Sequence, residues 1–194
     1  HGRYASTKTK NDADLIIALG VRFSDRATGK TSEYMKDARI IHIDIDPAEL
    51  NKNVTSGISI KGDVKEVVGE LLKRVKKQEH PRWWQHINKY REMEKKCMVQ
   101  TGLGLTPYAV IDELRNFADD STTIATDVGQ HQMWTAQRYR FEQPYTFLTS
   151  GGLGTMGYGM GAAIGACVAD GKRTVLITGD GSFGMNLNEM ATAV

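Results

Sequence analysis

The sequence predicts an α/β protein made of doubly wound parallel sheets, arranged in two successive units. Short runs rich in Ile, Val and Leu recur along the chain, amphipathic helical segments fall between them, and glycine-rich turns follow several of the runs. Strands of a parallel sheet are covered on both faces, so they read as continuous apolar runs rather than as alternating ones.

In the first unit, residues 1–77, the predicted strands are ADLIIALGVRF (13–23), ARIIHIDID (38–46) and ISIKGD (58–63). Over 64–77 the apolar residues Val64, Val67, Val68, Leu71, Leu72 and Val75 return at helical spacing with charge on the other face. Residues 78–104 are dense in Lys, Glu and Arg and broken by Pro81, yet contain Trp83, Trp84 and Tyr90. They read as a linker with a short docked helix, since the aromatics need a surface to cover.

The second unit, 105–194, opens with Thr106-Pro107, a cap followed by proline at the first helical position, and the helix is predicted to run to Phe117. A strand over 122–127, a helix over 130–139, a strand over 145–149, a small-residue helix over 157–169 and a strand over 174–178 follow. Residues 187–194 look like the opening of another helix. With no initiator Met and an end inside a helix, the chain is expected to be an internal piece of a longer protein.

A chain of 194 residues with 40% hydrophobic content has room for one good core or two small ones. Basic residues number 25 and acidic residues 23, for a formal net charge of +2, which lacks the basic field that nucleic-acid binding requires. Cys97 and Cys167 stand alone, with neither a CxxC pair nor a histidine at zinc-ligand spacing, so a reducing, cytoplasmic-type setting fits best. No apolar run approaches the ~20 residues of a membrane span, and the N-terminus lacks the apolar core of a signal peptide. Neither nucleic acid nor membrane is expected as a partner.

Three segments carry chemistry. TVLITGDGSFGMN (174–186) delivers Gly-Asp-Gly and Ser to the carboxyl end of a strand, where open α/β sheets bind ligands. Its glycines let backbone amides approach an anion, Ser182 has a hydroxyl to donate to phosphate, and Asp180 offers a hard oxygen to magnesium. Taken alone, a strand followed by Asp-Gly is more often a plain turn.

SGGLGTMGYGMGAAIGA (150–166) follows a predicted strand and opens a helix. Its Gly152-x-Gly154-x-x-Gly157 matches the dinucleotide fingerprint, and Asp180 falls roughly where a ribose-binding acid would, so a Rossmann-type nicotinamide-dependent dehydrogenase is the rival reading. A purely structural reading also stands, in which Gly157, Gly159, Gly161, Ala162, Ala163, Gly165 and Ala166 let the helix pack close to its sheet.

DVGQHQMW (127–134) passes from a strand end into a helix N-terminus, a place that suits phosphate. By itself His131 is more often a satisfied structural histidine; Gln130 beside it favours ligand contact.

Read in this order, DVGQHQMW, SGGLGTMGYG and GDGSFGMN resemble the cofactor domain of acetolactate (acetohydroxyacid) synthases, while GVRFSDRATG (20–29) and IIHIDIDPAE (40–49) resemble their FAD-binding middle domain. The resemblance spans nearly the whole chain and is weakest over 78–104. GDG is shared by all thiamine-diphosphate enzymes; GQHQMW with GGLGTMG and GVRFxDRxTG narrows it to this branch, with glyoxylate carboligase and pyruvate oxidase the nearest confusions.

The resemblance implies thiamine diphosphate, Mg2+ and FAD as cofactors. By it, Asp180 is a magnesium ligand, and Gly181, Ser182, Gln130 and His131 contact the diphosphate. In Gly154-Thr155-Met156 the Gly154 carbonyl accepts from the cofactor's 4′-amino group and Met156 wedges its bent conformation. Gly20, Val21, Arg22, Phe23 and Ser24 match the FAD loop, Asp44 and Ile45 the strand end near the flavin nucleotide, and Asp63 and Val64 a further contact. Asp25 and Arg26 lie toward the substrate channel. Read from the residues alone, Asp44 and Asp46 serve equally as strand-end turn residues and Arg22 as a surface charge.

The reaction implied is decarboxylation of pyruvate and transfer of the hydroxyethyl unit to a second 2-ketoacid, pyruvate or 2-ketobutyrate, feeding branched-chain amino acid synthesis. The FAD is implied to be largely structural, because the net reaction involves no redox change. A homo-oligomer with the active site between subunits and a regulatory small subunit are implied as partners, in the cytoplasm or an organelle stroma.

Three positions depart from the family pattern: Ser24 where Asp is common, Gly161 where Pro is common, and Gly184 where a larger residue usually sits. None removes a ligand, though Gly184 is expected to loosen the loop after Asp180. The family's catalytic Glu belongs to an N-terminal domain and its second metal ligand, an Asn, falls beyond Val194. The isolated chain is therefore expected to be inactive, and turnover in an acetolactate assay on it would overturn that expectation. A non-enzymatic binding module that keeps the fold is the remaining alternative.

Overall fold

A computed structural model describes residues 2–98 and 105–194. The chain divides into two compact units, His1–Thr101 and Gly102–Val194.

In the first unit β1 (Leu15–Leu19), β2 (Arg39–Asp44) and β3 (Ile58–Lys61) form a parallel sheet in the order β1-β2-β3. Ile16 lies opposite Ile40, and Ile43 opposite Ile60. The central strand β2 is the best covered, with His42 and Ile43 fully buried. Ala18, Phe23, Met35 and Ile40 form the core, with Ile16, Tyr34, Ala38 and Val54 packed against it. Burial on both faces, as the sequence predicts, fails for β1. Leu15, Ile17 and Leu19 are 42%, 51% and 42% exposed while Ile16 and Ala18 turn inward, because β1 is an edge strand with one face packed within the unit.

Helices α1 (Tyr4–Asn11), α2 (Asp25–Thr28), α3 (Val64–Leu72) and α4 (Pro81–Met98) complete this unit. The short helix expected within 78–104 is an 18-residue helix instead. The aromatics of α4 cover α1: Tyr90 meets Tyr4 edge-on at 6.3 Å. Asp12 accepts from His86 Nε2 at 2.7 Å and from the Tyr90 hydroxyl, and Arg3 pairs with Glu94 at 3.3 Å. The rest of the expected linker, 99–104, lies outside the described residues.

In the second unit β4 (Thr123–Thr126), β5 (Phe147–Thr149) and β6 (Thr174–Ile177) form a parallel sheet in the order β5-β4-β6. Every residue of the central β4 is buried. β5 starts later than predicted, because Tyr145 takes a left-handed turn conformation (φ 62°) and Thr146 Oγ1 bonds back to Gln143 O at 2.8 Å.

The predicted cap holds: Thr106 Oγ1 accepts from Ala109 N at 3.2 Å and opens α5 (Pro107–Phe117). Next come α6 (Gln130–Arg138), α7 (Tyr158–Asp170) and α8 (Asp180–Met185), then a 3₁₀ turn at Leu187–Glu189 and α9 (Met190–Ala193). Ile111, Ala118, Ile124 and Tyr139 make the core, joined by Leu114, Trp134, Phe141, Val175 and Ile177.

The chain leaves β4 for β5 on one side, and α7 then carries it across to β6 on the other. That reversal is the switch point at which ligands bind in open parallel sheets. Among the described residues no helix is long and apolar enough to cross a membrane.

Candidate functional site

The loops after β4, β5 and β6 all leave the same edge of the second sheet, so the three segments singled out in the sequence come together there. Side-chain bonds tie them. Ser182 Oγ donates to Val128 O at 3.2 Å, Asn186 Nδ2 donates to Gly157 O at 2.7 Å, and Gln132 Nε2 donates to Thr149 Oγ1 at 2.8 Å.

Asp127, 1% exposed, sits at the hub. Its Oδ1 accepts from Val128 N at 2.8 Å and Gly157 N at 2.9 Å, and its Oδ2 from Gly159 N at 2.9 Å. The carboxylate thus satisfies amides that open α7, groups that a helix N-terminus otherwise leaves without partners. Asp127 and Asn186 were missed as individual contributors in the sequence; the visible signal was Asp127 at a strand end ahead of Gly129.

His131, in the first turn of α6, is held between glycines. A Cβ on Gly129 (φ 155°) would stand 2.9 Å from its Cε1, and one on Gly179 would stand 3.3 Å from its Nδ1. Among the described residues its Nε2 is buried without a hydrogen-bond partner. An orphaned buried polar atom is costly, so a polar ligand group at this edge fits the ring. The helix behind it has no side-chain cap, which leaves its first amides open to an anion.

Burial holds the His131 imidazole below its ordinary value of 6.5, while its bond to the Asp127 backbone and the Asp127 charge pull the other way. As the pH falls below that ordinary value the unfolded chain takes up the proton first. This contribution to stability is therefore complete above it and is lost on further acidification. Replacing His131 by Gln is expected to flatten the dependence of Tm on pH in that window, as thermal melts from neutral pH downward will show. An unchanged slope would place the titration elsewhere.

Asp180 is the exposed first residue of α8, and among the described residues no hydrogen bond or ion pair engages its carboxylate. The described residues hold no cluster of three or more His, Cys, Asp or Glu able to bind a metal, so Asp180 would be this segment's own contribution to one. Gly181 faces Met156, whose Cε would lie 3.7 Å from a Cβ there. Met156, Thr155 and Gln130 are exposed at the same edge. Ser182, expected to contact the diphosphate, has a buried side chain whose hydroxyl donates to Val128 O, a bond that braces the loops.

In the first unit the FAD candidates follow the carboxyl ends of β1, β2 and β3. Gly20 (φ 59°) donates to Ile43 O at 2.9 Å and Gly62 to Asp44 O at 3.0 Å, which joins the three strand ends. Gly20, Val21, Arg22, Ser24 and Ile45 are exposed there, whereas Val64 is half-buried at the start of α3.

Other candidates have structural work. The Phe23 ring is buried in the core and meets His42 edge-on at 5.0 Å, which leaves its backbone as the part within the loop matched to FAD. Asp44 Oδ1 accepts from Asp46 N at 2.8 Å, the strand-end turn role open to it from the sequence. Asp63 caps α3, accepting from Lys65 N at 2.8 Å and Glu66 N at 3.2 Å. The exposed loop backbone, Arg22 and Ser24 are open to a nucleotide at this edge.

Two family models match the chain: the thiamine pyrophosphate enzyme central domain over residues 1–71, and the thiamine pyrophosphate enzyme C-terminal TPP binding domain over 127–194. Acetolactate synthase isozyme 1 large subunit of Escherichia coli is 46% identical over 195 residues, covering 100% of this chain and 34% of the relative. Isozyme 3 large subunit of the same organism is 39% identical over 100% of this chain and 35% of the relative. The acetolactate synthase of Mycobacterium bovis is 42% identical over 99% of this chain and 32% of the relative. The chain thus spans about a third of the length of the curated relatives it matches.

Proposed function

The chain belongs to the thiamine pyrophosphate enzyme family, and from that premise we propose that the protein containing it is an acetolactate synthase catalytic subunit. Its reaction would be decarboxylation of pyruvate and transfer of the two-carbon unit to pyruvate or 2-ketobutyrate. The observation that carries this reading is the meeting of three glycine-bearing loops at the β5-β4-β6 switch point, with the Asp180 carboxylate left free among them.

The residues fit the cofactor. Gln130, the amides opening α6 and the His131 Nε2, unpartnered among the described residues, suit a diphosphate, and Asp180 would offer an oxygen to its magnesium. Gly154, Thr155 and Met156 would hold the ring end in a bent shape, and Gly181 leaves space beside Met156. When bound, thiamine diphosphate supplies the electron sink that the loss of a carboxylate from a 2-ketoacid requires. The protein's share is orientation and the binding of charge. An FAD would lie along the carboxyl ends of β1, β2 and β3, against Gly20, Val21, Arg22, Ser24 and Ile45, with Asp44 and Asp63 shaping the loops.

We assign 1–77 to the central domain and 105–194 to the cofactor domain; the family matches over 1–71 and 127–194 fall within these bounds. Relatives named as large subunits support a small regulatory partner. A homo-oligomer and a cytoplasmic or stromal setting complete the proposal.

Asp127 weighs against the dinucleotide reading of Gly152-x-Gly154-x-x-Gly157. A Rossmann unit needs the amides at the start of its helix for the pyrophosphate, and here Gly157 N and Gly159 N are already given to a carboxylate. Calorimetric titration of the full-length protein with thiamine diphosphate plus Mg2+, and separately with NAD, tests the choice. Binding of the first, with acetolactate formed from pyruvate, is expected. Tight binding of NAD alone would overturn the proposal.

A further inference from the structure

We propose that Asp127 and Asn186 are positioning residues that together hold the Gly154–Met156 segment in its cofactor-receiving conformation, an inference that rests on the thiamine diphosphate reading above. The segment has little packing of its own. Leu153 is 91% exposed, and Thr155 and Met156 are also exposed. Without a core behind it, its conformation depends on how its two ends are tethered.

The upstream end is tethered by Ser150. Its carbonyl accepts from Gly154 N at 3.1 Å and its hydroxyl from Thr155 N at 3.0 Å. The downstream end is Gly157, gripped through both its polar groups. Its amide is held by Asp127 Oδ1 at 2.9 Å and its carbonyl by Asn186 Nδ2 at 2.7 Å. Gly157 has φ 88°, a conformation that side chains resist, and a Cβ there would stand 3.3 Å from Asn186 Oδ1.

One glycine therefore joins three loops: its own, the β4 end through Asp127, and the α8 end through Asn186. Asp127 also anchors the grip to the sheet, because its other oxygen takes Gly159 N and its backbone N bonds to Ile177 O at 3.1 Å. An amide at 127 would turn a donor toward one of these N–H groups, so Asp127→Asn removes an acceptor while keeping shape.

The test uses the full-length protein and reads the thiamine diphosphate dissociation constant at saturating Mg2+, with Tm recorded for each variant. Asp127→Asn is expected to weaken binding about tenfold, and Asn186→Ala by a few-fold. The double variant is expected to lose less than the product of the two, because both act on Gly157. Ile111→Val, in the core of the same unit, serves as a control that lowers Tm without moving the dissociation constant.

If Asp127→Asn does not fold, Asn186→Ala alone carries the comparison with that control. Variants that bind as well as wild type, or that lose affinity only as the control does, overturn the proposal. Wild-type protein that fails to bind thiamine diphosphate would instead overturn the cofactor reading, and this inference with it.

Discussion

Exchanging Asp180 for asparagine is expected to abolish magnesium-supported cofactor binding while leaving the fold intact. Its carboxylate differs from those of Asp44, Asp63 and Asp127, each of which ends or follows a strand and accepts backbone N–H groups. Asp180 holds a comparable position after β6 with no such partner among the described residues. Removing its charge therefore takes no internal bond away.

What it does remove is a hard anionic oxygen, which magnesium prefers over a neutral amide. Loss of a partner one shell from a metal typically costs about 10–100-fold in affinity, and loss of a direct ligand is expected to exceed that. Asp63→Asn serves as the matched control, since asparagine caps a helix about as well as aspartate. Titration of thiamine diphosphate against rising Mg2+, with melts of both variants, reads the outcome. If Asp180→Asn binds with wild-type affinity, the metal role fails.

The contrast between these carboxylates shows what the sequence was able to reveal. Strand order of events, the Thr106 cap and the loops at the carboxyl ends were legible, because each is written in local periodicity or local turn chemistry. The work of each side chain was not. Asp127 and Gly157 lie 30 residues apart, and a bond between them leaves no periodic trace.

Phe23 lies in the loop beyond the end of β1 at Leu19, with a left-handed backbone (φ 47°), and its ring is buried in the core, a packing that local sequence does not display. The helix α1, YASTKTKN, has no apolar stripe to announce it and is held by α4, which is distant in sequence. The GDG segment reads as a loop from its glycines, yet it coils into α8. Tertiary contacts outweigh propensity in each case.

The glycines of α7 offer the sharpest separation between packing and mere composition, because the same substitution is expected to have opposite signs two residues apart. At Gly159 an alanine Cβ would lie 2.8 Å from Asp127 N, 2.8 Å from Leu176 Cδ1 and 3.0 Å from Asp127 Cβ. The leucine has room to change rotamer, but the Asp127 backbone is bonded to β6 and does not yield. The helix must then move away from the sheet, stretching the Gly159 N to Asp127 Oδ2 bond.

Overpacking of this kind costs roughly 1–3 kcal/mol, and the displaced α7 start would also weaken thiamine diphosphate binding through Gly157. At Gly161 no described residue lies within 4 Å of the added Cβ, and the residue sits inside the helix. There Gly→Ala is expected to stabilise by about 0.4–1 kcal/mol through a less flexible unfolded chain. Thermal melts of the two variants in the full-length protein should move Tm in opposite directions. Equal shifts would mean that close approach of α7 to β4 is not what Gly159 provides, and the small-residue helix would then owe its composition to something other than packing.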